Sequence, residues 1–387
     1  MRIAINASYR LSAGSALHLR RVLNAWCADR LDQSHEITVF SRPEGVAALQ
    51  LPANSHIRFH ILELGGPGSK LVWEQTRLPG LLSDGRFDVL FCPGNISPFK
   101  NHVPSVVIFH HIGPFSDSAT LARLGPAEFM HLFLLRRLMC SSARSATRVI
   151  FVSRYFQTSF EKQFDYFSGK SDIIYHGRDN FDGAEADNRE VLRELKIQDP
   201  YILSVGHLQP YKNFPELIHG YHLARHVLQQ KGLRLIIAGK PAVASYVAKL
   251  RGLIAAHGLE SWVLIPGDIQ HAKIRSLLGS CDFSVFQSTC EACPLGLIEA
   301  LSVGAPIASS NASAMPEIAG DAALYFDPYS PEDISRAMIR MAQDQSLKSQ
   351  LRAAGPQEVL KFPTWSQVGR LTIQSLERAA GTRHGIE

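Results

Sequence analysis

The chain has 387 residues, 45% apolar and 19% charged, with 21 prolines and a formal net charge of +5. That length exceeds one ordinary core and fits two domains of roughly 150 to 200 residues, and the composition excludes disordered and fibrous classes. The mild basic excess favours anionic substrates or an anionic membrane surface; with no concentrated basic stripe, stacking platform or recognition-helix pattern, nucleic acid is not an expected partner.

The first element is a strand, "RIAIN", followed by Arg10, His18, Arg20 and Arg21 where a signal peptide would need an unbroken apolar stretch. The nearest approach to a membrane span, "FMHLFLLRRLMC" at 129–140, is broken by arginines and falls short of the ~18 to 20 residues a bilayer requires. A cytoplasmic protein is expected. Apolar runs rich in Val, Ile and Phe then recur between helical stretches: "IAIN", "EITVF", "IRFHIL", "DVLF", "SVVIF", "RVIFV" and "DIIY". A polar, acidic stretch, "GRDNFDGAEADNREVLRE", follows and predicts an interdomain linker over 183–190. Six more runs come after it: "YILSV", "RLIIAG", "WVLIPG", "FSVFQ", "APIASS" and "ALYF". Several are apolar on both faces, as strands buried between helices must be, so the fold class is α/β with two doubly wound parallel sheets. The domains are set at 1–182 and 191–363, with a final amphipathic helix over 364–387 capped by Thr364 and packing back toward the first domain.

Two such domains facing each other bring the carboxyl ends of both sheets to one crevice, and ligands are expected there. The polar motifs fall at those ends. "SVVIF" runs into His110 and His111; "YILSV" into "GHLQPYKNF"; "FSVFQ" into "STCEACPLGLIEA"; "APIASS" into "NASAMPEIAG". Helix starts leave unpaired N–H groups and partial positive charge, which suits a ligand rich in phosphate and hydroxyl, and Lys212 adds a full charge; its alternative is an ordinary solvated lysine. Glu299 lies inside "LGLIEALSVG", a helix apolar all round, where an ionised carboxylate must hold donors. Glu291 sits in the loop before that helix, so both carboxylates can meet one extended polyol. The rival is a glycosidase-type acid/base pair, disfavoured because both glutamates lie on one loop-helix segment. Six scattered cysteines, at 27, 92, 140, 281, 290 and 293, indicate reduced usage. Cys290 and Cys293 lack further ligands and read as small residues in a tight turn.

The stretch "STCEACPLGLIEALSVGAPIASSNASAMPEIAGDAALYFDP", with "SVGHLQPYKNFPELI" before it, resembles the C-terminal domain of retaining nucleotide-sugar glycosyltransferases, the glycogen-synthase-like family four of GT-B fold. "KLVWEQTRLPGLL", "FDVLFCPGNISP", "VVIFHHIGPF", "VIFVSRYFQTSF" and "IIYHGRD" extend the resemblance through the first half. It implies that Glu291 holds hydroxyls of the transferred sugar, Glu299 the ribose, and Lys212 the leaving diphosphate, with His110 near the reacting centre. It further places Gly14, Gly206, His207, Cys293, Pro294, Leu295 and Gly296 against the donor. "VWEQTRLP" and "FDVLFCPGNISP" look most like bacterial surface-polysaccharide transferases using GDP-mannose or a related donor, with a glycan or lipid-linked glycan as acceptor.

The chain departs from the family pattern at several points. Only Gly14 remains of two adjacent glycines, His207 stands for the usual Arg, Tyr211 for a basic residue, His-His for His-Asp, and Ala292, Cys293 and Pro294 for the turn after the first Glu. Two fewer positive charges weaken leaving-group stabilisation, worth ~3 to 4 kcal/mol for one strong donor elsewhere, unless the diphosphate protonates His207. No side chain is an evident nucleophile, so catalysis is expected to be electrostatic. No Asp-x-Asp triplet is present, and neither metal nor cofactor is expected. A decayed GT-B binding or scaffold protein is the alternative, and a sugar-nucleotide epimerase, which does not predict the glutamate pair, a further one. "PAEFMHLFLLRRLMCSSARSATR" combines Arg136, Arg137, Arg144 and Arg148 with Phe129 and Phe133, a composition that fits the anionic inner face of the cytoplasmic membrane or an ordinary solvated helix.

Overall fold

A computed structural model describes every residue except 9–12, 66–67, 117, 123–124, 165–168, 180–187, 196, 198–199, 242–243 and 382–387. Its strands are β1 (Arg2–Ala7), β2 (Glu36–Ser41), β3 (Arg58–Ile61), β4 (Val89–Cys92), β5 (Ser105–Phe109), β6 (Arg148–Phe151) and β7 (Ser171–Ile173). They are followed by β8 (Tyr201–Val205), β9 (Arg234–Ala238), β10 (Val263–Gly267), β11 (Phe283–Phe286), β12 (Ile307–Ser310) and β13 (Leu324–Phe326). Each arises from one of the apolar runs noted above. Their central members β4, β5 and β11 are buried along their whole length, which requires Val, Ile and Phe on both faces.

The sheets are parallel, in order β3-β2-β1-β4-β5-β6-β7 and β10-β9-β8-β11-β12-β13. In each, the winding runs outward from the first strand, then returns to its other side. Neighbouring connections therefore diverge at the carboxyl ends of β1 and β4, and of β8 and β11, leaving room for a ligand. The chain divides into two compact units, Met1–Gly177 with Pro363–Glu387, and Arg178–Phe362. Of the segment 183–190 expected as a linker, 183–187 lie outside the described residues, and a helix, Asn188–Glu194, takes up the rest.

In the first unit, Phe109, Phe115, Phe151, Phe156 and Phe160 stack beneath β5 and β6, with Phe115 and Phe160 4.6 Å apart. The terminal helix Trp365–Gly381 belongs to this unit and opens with a capping box: Thr364 Oγ1 accepts the Gln367 N–H at 3.3 Å, and Gln367 Oε1 accepts the Thr364 N–H at 2.8 Å. It lies on the helix Ala13–Ala28, where the Trp26 indole donates to the Gly369 carbonyl at 2.9 Å. Asp29 accepts from Ser366 and Arg370, and Asp172 from Arg148, Ser375 and Arg378. Burial alone would raise the Asp172 carboxyl, but Arg148 and Ser375 outweigh it and hold it below its ordinary value.

Candidate functional site

In the second unit Gly206 follows β8 where the chain passes close to its neighbour: a Cβ on Gly239, after β9, would stand 1.8 Å from the Gly206 carbonyl oxygen. The Lys212 side chain runs over Gly206, whose own Cβ would meet Lys212 Cε at 3.1 Å. A short 3-10 turn, Pro210–Lys212, then leads into the helix Phe214–Gln230 through Asn213, which takes a left-handed φ of 57° and anchors its amide on the Pro328 carbonyl. Lys212 is therefore fixed rather than solvated. Gln287, after β11, donates to its carbonyl at 2.6 Å and accepts from Ser204 at 2.9 Å.

The Lys212 ammonium and Glu291 carboxylate meet at 2.5 Å, with side chains only 15% and 12% exposed. Burial by itself would lower the Lys212 pKa; Glu291, with Tyr211 contributing, reverses that and raises it. The backbone of Glu291 is held by Ser313, whose hydroxyl accepts the Glu291 N–H at 2.9 Å and donates to its carbonyl at 2.7 Å. Loops after β8, β11 and β12 thus converge on one ion pair. The helix Leu295–Ser302 begins at Pro294, with no side chain capping its first amides, and one turn inside it Glu299 Oε1 meets His271 Nε2 at 2.6 Å. Cys293 is buried, and neither it nor Cys290 forms a disulfide. His207 is held below its ordinary value by burial and by the Lys212 ammonium. In the absence of an anionic ligand, it does not replace the missing positive charge.

In the first unit His110 follows β5, its N–H donating at 2.7 Å to Asn95 Oδ1, which also accepts the His111 N–H. Its ring lies 4.8 Å from His18 and stacks on His176 at 5.4 Å with 9° between planes. His18 Nδ1 and His176 Nδ1 stand 3.0 Å apart. Trp365 closes the group, 5.7 Å from His18, and fits because Gly177 has no Cβ to strike its ring. Burial is the main cause that holds all three imidazoles low, His176 at about 4. One nitrogen from each lies within 4.8 Å of the others. A zinc bound at ~2.0–2.1 Å would want them about 3.3 Å apart, with outer nitrogens on carboxylates or carbonyls. His18 Nε2 and both His110 nitrogens lack such partners among the described residues, so the set fits a metal poorly.

The expected residues Gly206, His207, Lys212, Glu291, Cys293, Pro294, Leu295, Gly296 and Glu299 all belong to the second unit, at or just beyond strand ends. His110 belongs to the first. Gly14 falls in the first turn of the helix Ala13–Ala28, and the loop 9–12 before it lies outside the described residues. The basic face read on 126–148 needs correction: Arg148 is not exposed but paired with Asp172, and Arg136 is half-buried over the Phe115 ring. Arg137 and Arg144 are exposed.

Sequence reasoning missed Ser313, Gln287 and His271, whose roles arise only from folding. It also missed the network at the carboxyl end of β1, where buried Glu74 accepts from Asn6 at 2.7 Å and Ser8 at 3.0 Å and pairs with Lys70 at 3.1 Å. A lone Glu in "VWEQTRLP" was the available signal.

Residues 14–180 match the model of Glycosyltransferase Family 4, and 187–358 that of Glycosyl transferases group 1. The serotype-specific mannosyltransferase WbdA of Escherichia coli is 30% identical over 186 residues, 48% of this chain and 22% of that protein, so the chain spans under a quarter of that relative's length. The O-antigen chain mannosyltransferase B of Escherichia coli is 24% identical over 70% of this chain and 69% of its own. Among solved structures, Anabaena Alr3699/HepE in complex with UDP superposes with a TM-score of 0.75 at 19% identity, covering 98% of this chain and 100% of that one. WaaG, a glycosyltransferase involved in lipopolysaccharide biosynthesis, gives 0.74 at 13% identity over 97% of this chain and 99% of its own.

Proposed function

The chain belongs to the group 1 glycosyltransferases of family four, with an α/β fold of the GT-B class, and from that premise we propose that it is a metal-independent retaining hexosyltransferase of polysaccharide biosynthesis. It moves a hexose from a nucleotide-diphosphate sugar, GDP-mannose first among candidates, to a glycan or lipid-linked glycan. One observation carries this reading: the buried Lys212–Glu291 pair, with Glu299 a helical turn beyond it, at the carboxyl ends of the second sheet. The mannosyltransferase relatives and the UDP complex of a structural neighbour support the donor class.

The pair explains how the donor is received. Two nearly buried charges compensate each other until it arrives. The diphosphate then takes over Lys212, the sugar hydroxyls donate to Glu291, and the ribose hydroxyls displace His271 from Glu299. As the bond to the diphosphate breaks, Lys212 and the first amides of the helix Leu295–Ser302 stabilise the charge developing on it. The diphosphate also draws a proton onto His207. The leaving phosphate accepts the acceptor's proton on the face it departs from, which retains configuration. The family resemblance also assigns His110 a part in the reaction.

A panel of nucleotide sugars tests the reading by release of nucleoside diphosphate and by the anomeric configuration of the product. α-Mannoside from GDP-α-mannose in the presence of a chelator is expected; an inverted product overturns retention, and metal dependence overturns the electrostatic account. His207, held low without ligand, favours a second reading, the decayed scaffold, and tight nucleotide binding without turnover of any donor would establish it.

On this reading the protein works in the cytoplasm, peripherally on the inner face of the membrane. Phe129, Met130, Phe133 and Leu134, each roughly half-exposed on the helix Pro126–Ser145, lie beside exposed Arg137 and offer an apolar, basic face to anionic lipid. No helix among the described residues is long and apolar enough to cross a membrane.

A further inference from the structure

Three imidazoles from distant parts of the first unit, His18, His110 and His176, meet in one group, and the site reading above uses only His110. Both His110 nitrogens are buried and unpartnered among the described residues, although its backbone is fixed by Asn95. Its ring is therefore held by contact alone: the His18 ring at its edge and the His176 face against its own. Those two are locked to each other at 3.0 Å and backed by Trp365. We propose that His18 and His176, walled by Trp365, are positioning residues that fix the His110 ring and leave both its nitrogens to the bound ligand. This rests on the reading of His110 as part of the site.

An imidazole that must both donate and accept has to stay uncharged, and the enclosure provides for that. The titratable groups facing His110 are His18 on the helix Ala13–Ala28 and His176 after β7; Trp365 and Asn95 carry no charge. Burial and the neighbouring imidazole both oppose protonation of His110.

The test compares His176→Ala with His176→Phe, which keeps a ring face, in the full chain. Misplacing a reacting group by about 1 Å can cost about 100-fold. The alanine variant should lower kcat by roughly tenfold or more, with donor KM little changed, and move the acid limb of the kcat profile up toward about 6.5. The phenylalanine variant should recover most of the rate. NMR titration of ¹³C-labelled histidine should show the same upward shift for His110, and this arm is independent of turnover: if no donor reacts with the wild-type protein, the functional reading fails while the titration still decides the inference. A folded alanine variant with unaltered kcat and unaltered His110 titration overturns it. So does one equivalent of Zn²⁺ bound by the wild type and lost in this variant, which makes the trio a metal site. Should His176→Ala not fold, His18→Asn, which removes the edge contact, is judged by the same two measurements and outcomes.

Discussion

At the scale of single residues, the Lys212–Glu291 pair is where charge, burial and chemistry coincide. Removing only the lysine leaves Glu291 buried beside no counter-charge, so Lys212→Met should destabilise the protein by about 3 kcal/mol. Lys212→Met with Glu291→Gln should restore most of that stability in urea unfolding. Neither variant should restore turnover, expected to fall about 100- to 1,000-fold if Lys212 is, as proposed, the ammonium partner of the leaving diphosphate. A raised folded pKa gives the same pair a pH signature: its stabilisation is complete below the unfolded lysine value of about 10.4 and is lost as pH rises through the higher folded value. Both residues were legible in the sequence as charged groups among apolar ones at strand ends. Their contact was not, because 79 positions separate them and only adjacent strands bring their loops together.

At the scale of elements, the terminal helix shows how local and long-range information divide. Thr364 and Gln367 announce a helix start by spacing alone, and the capping box follows. Thr364→Ala should therefore cost about 1 kcal/mol in unfolding. Its docking rests on partners no local pattern names: Trp26, Asp29 and Asp172. Ending the chain at Pro363 would uncover the Trp26 ring, strip Asp172 of two donors and remove Trp365 from the histidine group. Loss of soluble expression, or strong binding of a hydrophobic dye, is the expected result. The helix Pro126–Ser145 makes the complementary case: its mixed composition admits a membrane face or, the favoured reading, an ordinary solvated one, and tertiary packing separated Arg136 and Arg148 from the exposed set. Sedimentation with phosphatidylglycerol vesicles should fall when Phe129 and Phe133 are both replaced by serine, and should be weak with phosphatidylcholine alone.

At the scale of the whole molecule, buried neutral histidines make stability depend on acid. His18, His110 and His176 all titrate below the unfolded value of about 6.5, so below that pH the unfolded chain binds protons the folded one refuses. Each contributes a loss of up to about 1.4 kcal/mol per pH unit, continuing until its folded pKa is reached, about 4 for His176. Urea midpoints should fall steeply between pH 7 and pH 5, and a flat profile would contradict the burial of these rings.

The sequence by itself determined the two parallel sheets, because strands buried on both faces must be apolar throughout and every such run became a strand. It also marked the glutamates and Lys212, since charge in apolar surroundings stands out without coordinates. Tertiary structure alone decided who meets whom: Lys212 with Glu291, His271 with Glu299, and His18 with His176 across 158 positions. Residue patterns report the environment a side chain needs, whereas pairing depends on strand order, which brings loops together irrespective of their separation along the chain.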